Sequence, residues 1–465
     1  MKTTGADIEE ILSGLFAEIA ALKSEVSRLN RLLDRKDGEI SCLKKRLSKY
    51  EKPDKDSGNS SVPPTQDSLA RQVVRHTKSL RKPSGRPSGG QKGHKGSCLS
   101  VDREPDERVD IRPAVCECCG KPLEAAGAEE ASAHYTVDFR IVPFVTKHTA
   151  YRCRCRCGHT TVAGLPEGMR PGTGYGTNVQ ALVTYLMHEQ CIPSNRIVRM
   201  MADVFGIPLS EGTVYNVVRR LGDKARYAYG VIRQRIESSH VVGGDETGAY
   251  AGGRHGWAWV FQNRDLTYLF FDRSRGIKAV EKHFKDGLPH SVIVSDRHST
   301  YSVMRSKGRQ VCLAHLLRNL EYLNELDTGQ HWSADVQQVL RDAINLRKTP
   351  DGGLPGKDIV REVRDRMDRL LDTDLSMLDK DFESLRHGIA KVRDHLFTFL
   401  VDKDVPPDNN GSERAVRMIK VKQKVSGCFR TVAGADIYAM LRSIMDTAHK
   451  NKQSKYGAML ALANL

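Results

Sequence analysis

Three acidic residues stand in local contexts that suit metal-dependent chemistry on phosphates. Asp245 lies in VVGGDETGAY, Asp296 in VIVSDRHSTY and Glu413 in PDNNGSERAVRMIKVKQKVSG. The first two end apolar runs of β type, and the third opens a basic helix. Two carboxylates side by side repel one another unless a cation separates them. Mg2+ (or Mn2+) suits the task, because it takes hard oxygen ligands and keeps room for water and phosphate. Two such ions about 4 Å apart activate a nucleophile and stabilise the leaving oxygen of an in-line displacement. If the three acids converge, the chemistry is the cutting and joining of nucleic-acid strands. Each Asp alone also fits a strand-end turn. The run Asn410-Gly-Ser-Glu413 also fits a helix cap, with Asn410 as N-cap and Glu413 reaching back.

The elements around the acids give the expected scaffold. After residue 236 the pattern turns to strands. HVVGGDE is the first, AYAGGRHGWAWVF a hairpin around Gly252 and Gly253, and LTYLFF the third strand. RGIKAVEKHF reads as a helix, SVIVSD as a fourth strand, and QVCLAHLLRNLEYL as a strand running into a helix. This is the element order of a ribonuclease-H-like sheet. In that fold the first and fourth strands are neighbours, which would set Asp245 beside Asp296. A charged helical stretch from about Leu326 to Leu400 falls before the third acid and reads as an insertion in this core. The helix opened by Glu413 carries Arg414, Arg417, Lys420, Lys422 and Lys424, a density that suits phosphate tracking.

Upstream lie segments that would hold nucleic acid. Helices are expected over Thr177 to about Glu189, Asn195 to Phe205, and Glu211 to about Leu221, the last capped by Ser210. Val214, Val217, Val218 and Leu221 share one face of the third helix. Tyr215, Asn216, Arg219 and Arg220 are left to meet DNA, as in a helix-turn-helix. The alternative is an all-α packing unit with no such role.

The cysteines cluster in VCECCGKPL and YRCRCRCGH. Closely spaced thiolates on two turns about 35 residues apart make a zinc-ribbon arrangement. Cys116 and Cys119 form the simplest first pair. Cys153 or Cys155 acts with Cys157 in the second, and His159 is a spare ligand. The run YTVDFRIVPFVTKHTAYR between them reads as two strands. Such a zinc would be structural, since four closed ligands leave no catalytic position.

At the N-terminus, Leu12, Ile19, Val26, Leu33, Ile40 and Leu47 form one heptad seam. Ile8, Leu15, Leu22, Leu29, Lys36 and Leu43 form the other, so 11 of 12 positions are apolar. β-branched residues in one seam and Leu in the other favour a parallel two-stranded coiled coil, hence a homodimer. Glu18 with Lys23, and Glu39 with Lys44, are spaced for interhelical pairs. The competing reading is one amphipathic helix packed on its own chain. A Ser-, Pro- and Gly-rich linker follows. It carries eight Lys or Arg and no acid between Arg71 and Gly96, and suits phosphate neutralisation.

The 465 residues exceed one compact core, and 39% hydrophobic content with 28% charge permits a buried interior. A net charge of +16 favours a polyanionic partner, DNA first. No run spans a bilayer and no signal peptide is evident, so a cytoplasmic, nucleoid-associated location is expected. In such a compartment 11 cysteines argue for metal rather than disulfides.

The expected map is a multidomain α+β chain. A coiled coil spans 1–50, a basic linker 51–112, a zinc ribbon 113–165 and a helix-turn-helix region 166–235. The ribonuclease-H-like α/β catalytic core spans 236–325 and 401–465, interrupted by a helical insertion at 326–400.

The chain resembles transposases of the insertion-sequence-66 family. The resemblance rests on the zipper, NSSVPP, GRPSGGQKGHKG, the cysteine clusters, DETG before WAWVF, SDRHSTY, CLAHLLRNL and NNGSERAVRMIKVKQKVSGCFRT. It implies an acidic triad with Mg2+, placed at Asp245, Asp296 and Glu413, and so makes Glu413 a ligand as well as a cap. It implies strand cleavage and strand transfer at the ends of a mobile element, often with two small companion proteins. The chain departs from the resemblance in its CRCRC cluster and in ending at Leu465 without the longer tail of many relatives. The competing function is a catalytically inactive DNA-binding regulator. A nuclease that cuts without joining is the third reading.

Overall fold

The computed structural model describes residues 5–60, 91, 93–96, 99–123, 129–166, 169, 172–348 and 353–465. Residues 61–90 of the expected basic linker lie outside them. The chain divides into two compact units, residues 1–69 with 288–410, and residues 70–287 with 411–465. One unit holds three antiparallel strands and the other two parallel strands, and helices complete a mixed α+β fold compatible with a ribonuclease-H-like core.

The first unit opens with helix α1 (Gly5–Glu51). Its seam residues Leu22, Val26, Leu33 and Leu43 are 55–61% exposed, so α1 does not bury this stripe on its own chain. Lys36, which interrupts the seam, pairs with Glu39 of the same helix at 2.8 Å. Beyond α1 the chain docks on the helical insertion and on the end of the helix before it. Lys52 Nζ lies 2.9 Å from Asp379, and Asn59 Nδ2 donates to Glu325 at 2.7 Å.

Two parallel strands follow later in this unit, β6 (Leu288–Ser295) and β7 (Ser306–Val311), with Ser295 opposite Val311. Helix α6 (Ser299–Val303) connects them, after α5 (Ile277–Glu281) of the other unit, and four amphipathic helices lie beyond: α7 (Leu313–Leu326), α8 (Trp332–Leu346), α9 (Lys357–Leu371) and α10 (Lys380–Ala390). Their buried stripes include Leu316, Leu320, Val336, Leu340, Met367 and Phe382. Gln310, fully buried on β7, ties the returning chain to the sheet. Its amide donates to the Leu396 carbonyl at 2.9 Å and accepts from Phe399 N–H at 3.0 Å.

The second unit begins with a short hairpin, β1 (Arg152–Arg154) and β2 (Thr160–Val162). The two strands expected before it, in YTVDFRIVPFVTKHTAYR, do not form; the ladder sits around the second cysteine cluster instead. Val137, Phe139 and Val145 are 59%, 76% and 98% exposed, so the apolar alternation of that run is not buried against any of the described residues.

Helices α2 (Thr177–His188), α3 (Ser194–Asp203) and α4 (Glu211–Glu237) follow. Ser210 caps α4 as expected, accepting the Thr213 N–H. The helix does not stop near Leu221. Ala225, Ile232 and Ile236 continue the buried stripe, and Gly222 lets Ile437 approach to where a Cβ would meet it at 3.0 Å. The three helices share one apolar core with the C-terminal helices α12 (Val432–Lys450) and α13 (Lys455–Asn464). Val217, Leu221 and Met201 pack with Leu441, Met445 and Met459.

Strands β3 (Val241–Ala251), β4 (Arg254–Gln262) and β5 (Thr267–Asp272) form an antiparallel meander. The β3–β4 turn is the expected Gly252–Gly253 pair. Both have positive φ, +57° and +72°, which a two-residue hairpin turn demands. Helix α11 (Asn410–Ser426) packs on this meander, with Val416 and Ile419 in one cluster with Ala249 and Val260.

Candidate active site

Asp245 is not at a strand end. It is the fifth residue of the eleven-residue β3, opposite Val260 of β4. The two glycines before it and the acid pair DE break the apolar run, yet the ladder continues to Ala251 opposite Arg254. Within the strand the pleat separates the two acids. Asp245 is partly exposed and its Oδ1 accepts the Glu246 N–H at 2.9 Å. Glu246 points to the other face with its side chain 2% exposed. Its Oε1 accepts from Arg275 Nε and Nη2 at 3.0 and 2.9 Å, and that guanidinium lies over the Trp257 ring. Glu246 is therefore a structural acid next to Asp245.

Asp296 does end its run, directly after β6. Its Oδ1 accepts the His298 N–H at 2.8 Å. Its main-chain carbonyl accepts from Arg309 Nη2 at 2.7 Å and from Ser295 Oγ at 3.0 Å. Arg309 is buried on β7, and its Nη1 donates to Ser302 Oγ at 2.6 Å. Burial lowers the pKa of this guanidinium, and the charge of Asp296 opposes that shift.

Glu413 sits in the first turn of α11. Asn410 is the first residue of the helix rather than its cap, and its N–H donates to Asp408 Oδ1 at 3.1 Å. The segment that leads into α11 is tied to the end of β6. Leu313 N–H donates to the Pro407 carbonyl at 3.0 Å, and Asn409 N–H to Cys312 Sγ at 3.3 Å. Cys312 N–H in turn donates to the Ser295 carbonyl at 2.8 Å, one residue before Asp296. The buried thiol of Cys312 thus ties the segment before α11 to the strand end that carries Asp296. On the other unit, α11 runs along β3, where Lys420 Nζ donates to the Gly248 carbonyl at 2.8 Å.

The basic residues of α11 divide by face. Arg414, Arg417 and Lys424 are exposed. Lys422 is 8% exposed and is turned inward, a correction to its expected place on an outer phosphate-tracking face. The helical period puts it with Ile419 on the buried side, and burial depresses its pKa. Burial also lowers the pKa of Lys420.

On α4, Tyr215, Asn216, Arg219 and Arg220 are exposed, while Val214, Val217, Val218 and Leu221 are buried, as the periodicity predicts. Tyr215 is anchored by its hydroxyl, 3.1 Å from Ser194 Oγ at the start of α3.

The cysteines stand on two similar turns. Gly120 N–H donates to the Cys116 carbonyl at 2.8 Å and Gly158 N–H to the Cys155 carbonyl at 2.9 Å, with both glycines at positive φ. Amide hydrogen bonds from Cys119 and Cys118 lower the pKa of the Cys116 thiol, and one from Cys157 lowers that of Cys155. Cys153 lies on β1, before the second turn. Among the described residues, no three of these sulfurs lie within 4.8 Å of one another.

Sequence reasoning missed Arg309 and Cys312. Both lie in the run GRQVCLAHL that was read only as strand and helix. The available signal was a charged residue in a strand otherwise destined for burial.

No helix among the described residues is long and apolar enough to cross a membrane. A search for similar curated proteins returns no match. The model of the Transposase IS66 family matches residues 172–437, a span that includes α2 to α4, β3 to β7, the helical insertion and the first turns of α12. The chain belongs to the IS66 family of transposases, a DDE-type family.

Proposed function

We propose that this protein binds the ends of an insertion sequence and catalyses metal-dependent strand cleavage and strand transfer, with Asp245, Asp296 and Glu413 as its acidic triad. The observation that carries the reading is that the family match, residues 172–437, encloses all three acids. Their positions support it: mid-strand on β3, directly after β6, and in the first turn of α11. A donor set of three carboxylates fits Mg2+ or Mn2+. Such an ion, when bound, stabilises charge on the scissile phosphate and makes water a competent nucleophile at neutral pH.

The reaction runs in two displacements. Water opens a phosphodiester at the element's end and leaves a 3′-hydroxyl. That hydroxyl then attacks a target phosphodiester, one P–O bond forming as another breaks. The protein's part is to orient the carboxylates and hold the strands. Asp245 is fixed by the β3–β4 register, and Asp296 by Arg309 and the His298 amide. Tyr215, Asn216, Arg219 and Arg220 on α4, with Arg414, Arg417 and Lys424 on α11, are the proposed DNA contacts. The exposed seam of α1 pairs two protomers. Structural Zn2+ would draw the two cysteine turns together through Cys116, Cys119, Cys157 and either Cys153 or Cys155.

The test is Asp245→Asn, assayed on DNA carrying the element's ends. Mg2+-dependent end cleavage is lost while gel-shift affinity persists. Cleavage at the wild-type rate overturns the triad. Absence of cleavage by the wild-type protein, with binding indifferent to Mg2+, points instead to an inactive DNA-binding relative. A pre-cut end separates strand transfer from simple nuclease action.

A further inference from the structure

The first turn of α11 rests on one side chain of the meander. A Cβ on Gly411 would lie 2.6 Å from Gln262 Nε2, closer than real contacts allow, so the helix backbone touches this amide. Ser412, the next residue, is fully buried, and its Oγ lies 3.4 Å from the same nitrogen. Gln262 is the last residue of β4, two positions beyond the Val260 that faces Asp245.

The orientation of Gln262 is imposed from behind. Lys450, at the end of α12, donates to Gln262 Oε1 at 2.7 Å, to the Asn263 carbonyl at 2.7 Å and to the Leu266 carbonyl at 2.8 Å. An ammonium has three donors and no acceptor, so all three are committed here. Lys450 therefore dictates which end of the Gln262 amide is oxygen, and turns the Nε2 end toward Gly411 and Ser412.

We infer that Gln262, locked by Lys450, is a positioning residue for Glu413: it sets the height of the first turn of α11 above the meander and so the placement of the third acid. The inference rests on the proposed role of Glu413. It explains why residue 411 is glycine, which neither capping nor metal chemistry requires. Groups that orient metal ligands typically matter about 10- to 100-fold in metal affinity or activity.

The experiment measures Mn2+ binding to the full-length protein from the paramagnetic resonance of unbound ion, beside the Mg2+ dependence of end cleavage. Variants are Gln262→Ala, Gly411→Ala, their double, Lys450→Met and Glu413→Gln. Gln262→Asn, which keeps the amide but withdraws it from Gly411, serves where truncation to alanine unfolds the chain. Each single positioning variant should weaken Mn2+ binding about 10-fold and raise the Mg2+ requirement, with DNA affinity kept. The double should be no worse than Gln262→Ala, because the added methyl then has nothing to strike. Fully additive losses, or melting points that fall while metal affinity stays at wild type, overturn the inference. Glu413→Gln keeps the two claims apart. Unchanged Mn2+ binding in that variant removes the role of Glu413 itself. Weakened binding there, with unchanged binding in Gln262→Ala and Gly411→Ala, removes only the positioning role.

Discussion

The guanidinium of Arg309 donates to the main-chain carbonyl of Asp296 at 2.7 Å, so a buried cation grips the peptide that carries the second acid. A second arm reaches Ser302 Oγ at 2.6 Å, which orients the planar fork. Lysine cannot reproduce two divergent donors from one rigid plane. Arg309→Lys should therefore fold yet lose end cleavage about 10- to 100-fold, with the apparent Mg2+ requirement raised. Arg309→Ala should also cost about 2 kcal/mol of stability, from lost charge-assisted hydrogen bonds. Denaturant melts beside cleavage rates check both. Full activity in Arg309→Lys would leave the contact without a role in catalysis.

The neighbouring acid offers a control. Glu246 sits beside Asp245 in the DETG run but faces away and pairs with Arg275. Glu246→Gln should keep metal-dependent cleavage within a few-fold and lower stability by about 1–2 kcal/mol. Asp245→Asn should do the reverse, abolishing cleavage at little cost in stability. If Glu246→Gln is as dead as Asp245→Asn, the assignment of the two acids is wrong.

What the sequence made legible follows from which forces act locally. The Gly252–Gly253 turn, the α4 face with Val214 and Val217 buried, and the strand ending at Asp296 all come from periodicity and turn chemistry within a few residues. Asp245 was misplaced at a strand end because HVVGGDE and the AYA arm of the hairpin read as separate runs, which the unbroken ladder with β4 joins through Thr247 and Gly248. The strands expected between the cysteine clusters failed for the opposite reason: the alternation is present, and among the described residues no strand pairs with it. Lys422 shows a third limit. Charge suggested an exposed face, while the helical period, set by Val416 and Ile419, turned that position inward. Arg309, Cys312 and Gln262 act through contacts distant in sequence, which spacing alone does not reveal.

Two buried histidines give the second unit an acid limit. Burial pushes His188 down to about 3, aided by the nearby charge of Lys422, and pushes His283 down to about 4. His188 stacks on Tyr438, and His283 stacks on Phe270 at 3.8 Å between centroids. Above the unfolded value of 6.5 neither state is protonated, and their contribution to stability is complete. As pH falls from 6.5 toward 4 the unfolded chain takes up protons that the folded chain refuses, so stability is lost. Each histidine contributes up to about 1.4 kcal/mol per pH unit in this window. Thermal melts between pH 7.5 and 4.5 should show a shallower decline for His188→Phe than for wild type. Identical slopes would remove His188 from this account.

The exposed seam of α1 should act only in association. Leu22→Glu with Leu29→Glu places charges on a stripe that the single chain leaves exposed, 61% and 47% at these positions. The folded monomer loses little, since among the described residues nothing covers this stripe. Sedimentation should shift from dimer to monomer, and binding to paired ends should weaken more than binding to one end. An unchanged sedimentation coefficient would show that another surface carries the dimer.

The divided face of α11 predicts unequal effects of its cations on DNA. Arg414 and Arg417 are exposed and can each displace a counterion from a phosphate, whereas Lys422 is buried. Affinity measured across salt concentrations reads this directly, because the slope counts phosphates neutralised. Arg414→Ala and Arg417→Ala should each reduce the slope by about 1 and weaken binding across sequences alike. Lys422→Met should leave the slope unchanged. It should also hold or raise the melting point, because burial already disfavours the charge, as its lowered pKa records. A Lys422→Met slope that falls as far as that of Arg414→Ala would mean that α11 turns on binding DNA and brings Lys422 to the phosphates.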